Sequence, residues 1–205
     1  MTSIAPLAEI EKLINANDIA GTAALCESFE LDLCHSDETQ PISLTVYKVH
    51  LLAYLLTNQV NAARFLWKRL APEIRADAEL AALWEVGKQK WLKQPAEMQQ
   101  ALRSFSWSQP LVAALVSKLQ EDELSETFKA VGAAYSLISV PVLAQVLGVP
   151  EATAHDLANT AGWRLNAESG FYTPVGPPND KQRRTSLAQL QSLTDFVAHV
   201  EYEVG

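Results

Sequence analysis

Four histidines, His35, His50, His155 and His199, carry the widest chemical repertoire in this 205-residue chain. A zinc hydrolase needs a His-x-His pair, a distant acidic ligand and a glutamate base. The four are widely separated and no two form that pair, so each is read as surface or core-edge packing. Cys26 and Cys34 are too few for a disulfide framework and lack metal-ligand spacing. Glu27 and Asp32 lie near them, and a neighbouring carboxylate raises a thiol pKa rather than activating the sulfur. Neither a glycine-rich phosphate loop nor a Gly-x-Ser-x-Gly elbow occurs. The expectation is no catalytic residue, no cofactor and no metal.

Apolar residues make up 48% of the chain and charged residues 20%, as in a folded globular protein rather than a disordered one. A net charge of −8 opposes a phosphate backbone unless cations gather on one face. Tight basic groupings are confined to Lys68-Arg69, Lys88 to Lys93 and Lys181 to Arg184. The first residues lack the basic and apolar regions of a secretory signal, and no apolar run approaches the ~20 residues that span a bilayer. With free thiols, these features predict a soluble protein of the cytoplasm and nucleus, with no membrane and no small-molecule ligand as partner.

The elements are mainly helical. Leu7, Ile10, Leu13 and Ile14 recur at helical spacing, and Asp18 is placed to cap a second helix containing Ala23, Leu25 and Phe29. Residues 34–41 read as a loop. Residues 42–57 are apolar nearly all round, as a central helix requires, and Val60, Ala63, Trp67 and Leu70 form the return helix of a hairpin that Pro72 ends. Leu80, Leu83, Trp84, Gly87 and Trp91 make another stripe, and Pro95 opens a short helix to Phe105. Leu111 to Leu119 continue the pattern to an acidic joint at Glu121-Asp122-Glu123, after which a last helix runs from Phe128 to Ile138. The spacing predicts an α-solenoid of helical hairpins over 1–138. Trp67, Trp84 and Trp91 read as core between its helices, each also able to serve as an interface anchor.

The pattern changes at Ser139. A short helix closed by Gly148, a second helix from Pro150 to Ala161, and strands at 163–165 and 171–173 outline a winged helix over 139–175. A linker over 176–184 leads to an amphipathic helix over 185–205, where Ser186 and Gln189 fit a capping box. Its stripe, Leu187, Leu190, Leu193, Val197 and Val200, has no partner within the linker and is expected to dock elsewhere, with Phe196 included in that interface. A DNA-reading winged helix carries cations on its second helix, whereas this one carries Glu151, His155, Asp156 and Asn159. Residues 139–175 hold one basic residue, Arg164, against Glu151, Asp156 and Glu168. A neighbouring protein is therefore the expected partner of this segment, met through Trp163, Arg164 and Phe171. A stand-alone nucleic-acid adaptor is the alternative.

The order of helical hairpins, winged helix and tethered C-terminal helix resembles the PCI domain. That module is shared by the proteasome lid, the COP-nine signalosome and a translation initiation factor complex. Ala63-Arg64-Phe65-Leu66-Trp67-Lys68-Arg69, followed by Pro72 and Ile74, is similar to the signature hairpin of the family of signalosome eighth subunits. Trp84-Glu85-Val86-Gly87 and Trp91 stand where that family has its next tryptophans, and residues 193–201 resemble its closing helix. Phe105-Ser106-Trp107-Ser108 and Ala134-Tyr135-Ser136 also fit, whereas the first forty residues and the wing at 166–174 match in outline only. The resemblance implies a non-catalytic scaffold subunit in the complex that removes Nedd from cullins and so regulates cullin–RING ubiquitin ligases. It also implies other signalosome subunits as partners, the third PCI subunit as neighbour, and a bundle of C-terminal helices joined by residues 185–205. The proteasome lid and the initiation factor complex are the alternative assemblies.

Overall fold

The computed structural model describes residues 5–35, 44–166, 170–175, 190–192 and 194–196. It is mainly α-helical. Helices α1 (Ala5–Asn15) and α2 (Ile19–His35) form the first hairpin, and α3 (Leu44–Leu56) and α4 (Val60–Arg69) the second. Asn17 and Asn58 take the left-handed conformation at the two hairpin turns (φ 60° and 59°), a role asparagine fills at low cost. Asp18 caps α2 as expected, its Oδ1 accepting from the Gly21 N–H at 2.8 Å.

Pro72 does more than end α4, because it opens the one-turn helix α5 (Pro72–Arg75), which the spacing of apolar residues was too short to signal. Next come α6 (Ala78–Leu92), capped by Asp77 accepting from the Leu80 N–H at 2.8 Å, and α7 (Pro95–Ser104). Helix α8 (Pro110–Ala134) is continuous through Glu121-Asp122-Glu123, so the expected acidic joint does not exist. Carboxylates are solvated on a helix surface without breaking its ladder, and neither glycine nor proline interrupts the stretch. The helix expected to reach Ile138 stops at Ala134, and Ile138–Ser139 forms strand β1.

Helix α3 is the pivot. Nine of its thirteen residues are buried, and it packs against α2, α4, α6 and α8. Its all-round apolar sequence is what permits contact with a helix beyond its nearest neighbours. One apolar core runs from Ile10 through α3 to Leu119, and no described helix is long and apolar enough to cross a membrane.

The two helices and the hairpin expected after Ser139 are present as α9 (Val140–Leu147), α10 (Glu151–Thr160), β2 (Arg164–Asn166) and β3 (Phe171–Thr173). The sheet has a third strand, in the order β1-β3-β2, antiparallel throughout, with Ile138 opposite Tyr172 and Tyr172 opposite Leu165. Its core includes Leu143, Leu147, Trp163 and Tyr172, and it also takes in Leu124, Phe128 and Val131 of α8. Helix α8 therefore contributes side chains to both cores. A second tie is Gly148, whose φ of 63° closes α9. Its backbone lies so close to α7 that a Cβ there would fall 2.7 Å from Ala96 Cα, and the Arg103 Nη1 donates to its carbonyl at 3.0 Å.

Candidate partner-binding surfaces

Among the described residues, titratable side chains gather in two clusters that hold helices together, in addition to the Lys90–Glu123 pair between α6 and α8. Lys48 of α3 lies 2.5 Å from Glu79 of α6 and 3.1 Å from Asp77. Glu79 also accepts from the backbone N–H of Ser108 at 2.7 Å and from its hydroxyl. Burial pushes the Glu79 carboxyl up, but the Lys48 ammonium and the Ser108 donors outweigh it and hold it below the usual range.

The second cluster joins α2, α3 and α4. Arg69 makes a two-pronged pair with Glu30, its Nε and Nη2 each 2.5 Å from a carboxylate oxygen, and the Tyr54 hydroxyl donates to Glu27 at 2.7 Å. His50, 1% exposed, stacks on Tyr54 with ring centroids 4.4 Å apart. Its Nδ1 lies 3.9 Å from Glu30, and its Nε2 has no hydrogen-bond partner among the described residues. Burial lowers its pKa to about 4, with Glu30 opposing the shift and Arg69 adding to it. Surface or core-edge packing was expected of His50, but it sits wholly inside. Burial, with Glu27 and Glu30 adding to it, pushes the Cys26 thiol up to about 12, the inert state expected for it.

His155 sits on α10 beside Asn159 and edge-on to Tyr172, and His35 ends α2. His199 lies outside the described residues. Among the described residues, no group of three or more His, Cys, Asp or Glu side chains could hold a metal ion.

The candidate interface residues divide. Residues 190–192 and 194–196 are helical, and Leu190 and Phe196 are 60% and 65% exposed. Leu187, Leu193, Val197 and Val200, the linker at 176–184 and the Ser186–Gln189 capping box lie outside the described residues.

On the small sheet, Arg164 is exposed on edge strand β2, and Phe171 is partly exposed on β3, where it faces outward opposite Ser139 and Asn166. Trp163 is not available to a partner. It is 7% exposed, its ring stacks on Phe128 at 4.4 Å, and it packs across Gly132 of α8, where a Cβ would meet its ring at 3.2 Å. The second core recruits it because Trp163, just before β2, lies against Phe128 and the apolar stripe of α8. Leu137, exposed just before β1, and Leu165 on β2 extend the apolar surface of the sheet. Sequence reading passed over Leu137 because the residues around it were assigned to a helix.

Paired helices packed around one central helix, closed by a small three-stranded sheet, make the architecture that of a PCI-type helical protein. A family model described as the CSN8/PSMD8/EIF3K family matches residues 41–186, and the chain belongs to that family. Over 197 residues it is 27% identical to the COP9 signalosome complex subunit 8 of Arabidopsis thaliana, covering 96% of this chain and 99% of that protein. It is 31% identical over 158 residues to the subunit of that name in Danio rerio, covering 76% and 82%. The corresponding protein of Dictyostelium discoideum is 25% identical over 200 residues, covering 94% and 96%.

Proposed function

We propose that this chain is a non-catalytic scaffold subunit of the COP9 signalosome, held in the complex by its C-terminal helix and supporting the removal of Nedd from cullins in the cytoplasm and nucleus. The reading rests chiefly on one observation. Leu190 and Phe196 stand more than half exposed on a helical stretch, in a chain whose relatives are named as subunits of one complex. Large apolar side chains left in water on a helix are relieved by burial against partner helices. Each contributes roughly 1.5–3 kcal/mol when fully buried. The exposed outer surface of the sheet, with Arg164 and Phe171, is the second contact, toward the third PCI subunit. The acidic balance of residues 139–175 favours a protein there over nucleic acid.

The test is incorporation. Leu190→Asp with Phe196→Asp is expected to leave the melting temperature of the isolated chain unchanged and to abolish co-purification with the other signalosome subunits. Truncation after Pro178 is expected to do the same. Normal incorporation of either form sinks the proposal, as does recovery of the unaltered chain with the proteasome lid or an initiation factor complex instead.

A further inference from the structure

Two helices of the body carry a cationic and aromatic strip that is partly open to solvent. Arg64, Trp67 and Lys68 fall at i, i+3 and i+4 on α4, and Trp84, Lys88 and Trp91 at i, i+4 and i+7 on α6. Each set therefore shares one helix face. The two faces meet. The Trp67 and Trp84 rings stack with centroids 5.4 Å apart and planes 8° from parallel, and the Arg64 guanidinium carbon lies 5.5 Å from the centre of the Trp91 ring. Contacts between 67 and 84 and between 64 and 91 mean that the helices run antiparallel and the contacts line up along the pair.

Arg64 and Lys68 are exposed and Trp91 is 49% exposed, so this ring is not the core residue that helical spacing suggested. Lys88 is paired with Glu85 at 2.5 Å, whereas neither Arg64 nor Lys68 has a carboxylate partner among the described residues. Helix α4 carries three basic residues and no acidic one, on a chain whose net charge is −8. The strip is thus a local inversion of the protein's charge, built from tryptophan and arginine, residue types enriched where binding energy concentrates.

We propose that this strip docks an acidic polypeptide segment of a partner, with carboxylates at Arg64 and Lys68 and an apolar side chain against Trp91. Charge complementarity selects that occupant. The cations attract an acidic segment from a distance and the indole supplies the desolvated contact. A polynucleotide fits worse, because two free cations on a strongly acidic protein make no continuous track for phosphates. This strip shares no residue with the described C-terminal helical stretches or with the small sheet, so its occupancy is tested independently of the assembly reading.

The test uses the full chain alone. Peptides are selected on it from a random display library and then measured by fluorescence anisotropy against substituted chains. The expected peptides are rich in Asp and Glu around an apolar residue. Arg64→Glu with Lys68→Glu should weaken them at least tenfold, Trp91→Ala several-fold, and Leu190→Asp not at all, with circular dichroism unchanged because all these side chains are exposed. Raising the salt concentration should weaken binding. The proposal is overturned if no peptides are enriched, if their sequences lack an acidic excess, or if the Arg64 and Lys68 reversals leave affinity intact. A single-stranded oligonucleotide bound more tightly than the best peptide overturns it too. So does concentration-dependent self-association in sedimentation that these reversals abolish.

Discussion

At the scale of single residues, the charged groups of this protein act as struts between helices. Lys48 and Glu79 are both buried and hold α3 to α6, with Ser108 tied to the same carboxylate. Removing Glu79 leaves the buried Lys48 ammonium with only the partly exposed Asp77, 3.1 Å away, and leaves the Ser108 donors without their carboxylate. Glu79→Ala should therefore cost up to about 3 kcal/mol, the low end of the penalty for breaking a buried pair because Asp77 still compensates Lys48, read as a shift in the urea midpoint. Replacing both, as Lys48→Met with Glu79→Leu, should recover most of that loss, and a double variant as weak as the single one would refute the account. His50 sets a pH dependence of its own. Its pKa falls from 6.5 to about 4 on folding, under burial and between Glu30, Glu27 and Arg69. The unfolded chain then binds more protons than the folded one between those values, so stability falls as pH drops through that window. By pH 5 the loss is roughly 2 kcal/mol. Glu79, held below the usual carboxylate range, adds its stability at neutral pH and loses it only as pH falls below the ordinary carboxylate pKa, beneath the histidine window. The melting temperature of His50→Phe should accordingly fall less between pH 7 and pH 5 than that of the unaltered chain.

Among the elements, α9 depends on one glycine. Gly148 combines a φ of 63° with a backbone approach to Ala96 that leaves no room for a Cβ. Gly148→Ala should destabilise the protein by about 1–3 kcal/mol through the left-handed conformation, before the steric conflict is added. Calorimetry checks this, and an unchanged melting temperature would mean that α9 can move off α7 freely. Why α8 ignores its acidic triplet is also decided between elements. Glu123 there forms an ion pair with Lys90 of α6, whose ammonium donates to the Leu55 carbonyl of α3 at 2.9 Å. Glu123 of the charge run is a tether to the body, and Glu121 and Asp122 lie exposed on a helix that continues through them.

Over the whole molecule, α8 makes two cores into one mechanical unit. Its first half lines the larger core with Val112, Leu115 and Leu119, and its second half lines the smaller one with Phe128 and Val131. Melting either core should unravel the helix that supports the other. A single urea transition is expected, with far-ultraviolet circular dichroism and near-ultraviolet aromatic signals superimposing. Two separate midpoints would show that the cores unfold independently.

Much of this was legible in residue order because it is decided within a few residues. Apolar spacing placed the helical stripes, Asp18 and Gly148 marked helix ends, and the all-round apolar stretch before Thr57 named the central helix. The family signature at 63–69 belongs to the same short-range class. Other features depended on partners distant in the chain. Ile138 becomes a strand because Tyr172 pairs with it, and Trp163 is buried because Phe128 and Gly132 lie beneath it. Trp91 is left half in water because Arg64, rather than an apolar neighbour, lies over its ring. Helical periodicity shows which face of an element is apolar. Which other element covers that face, and whether any does, is settled only when the chain is packed.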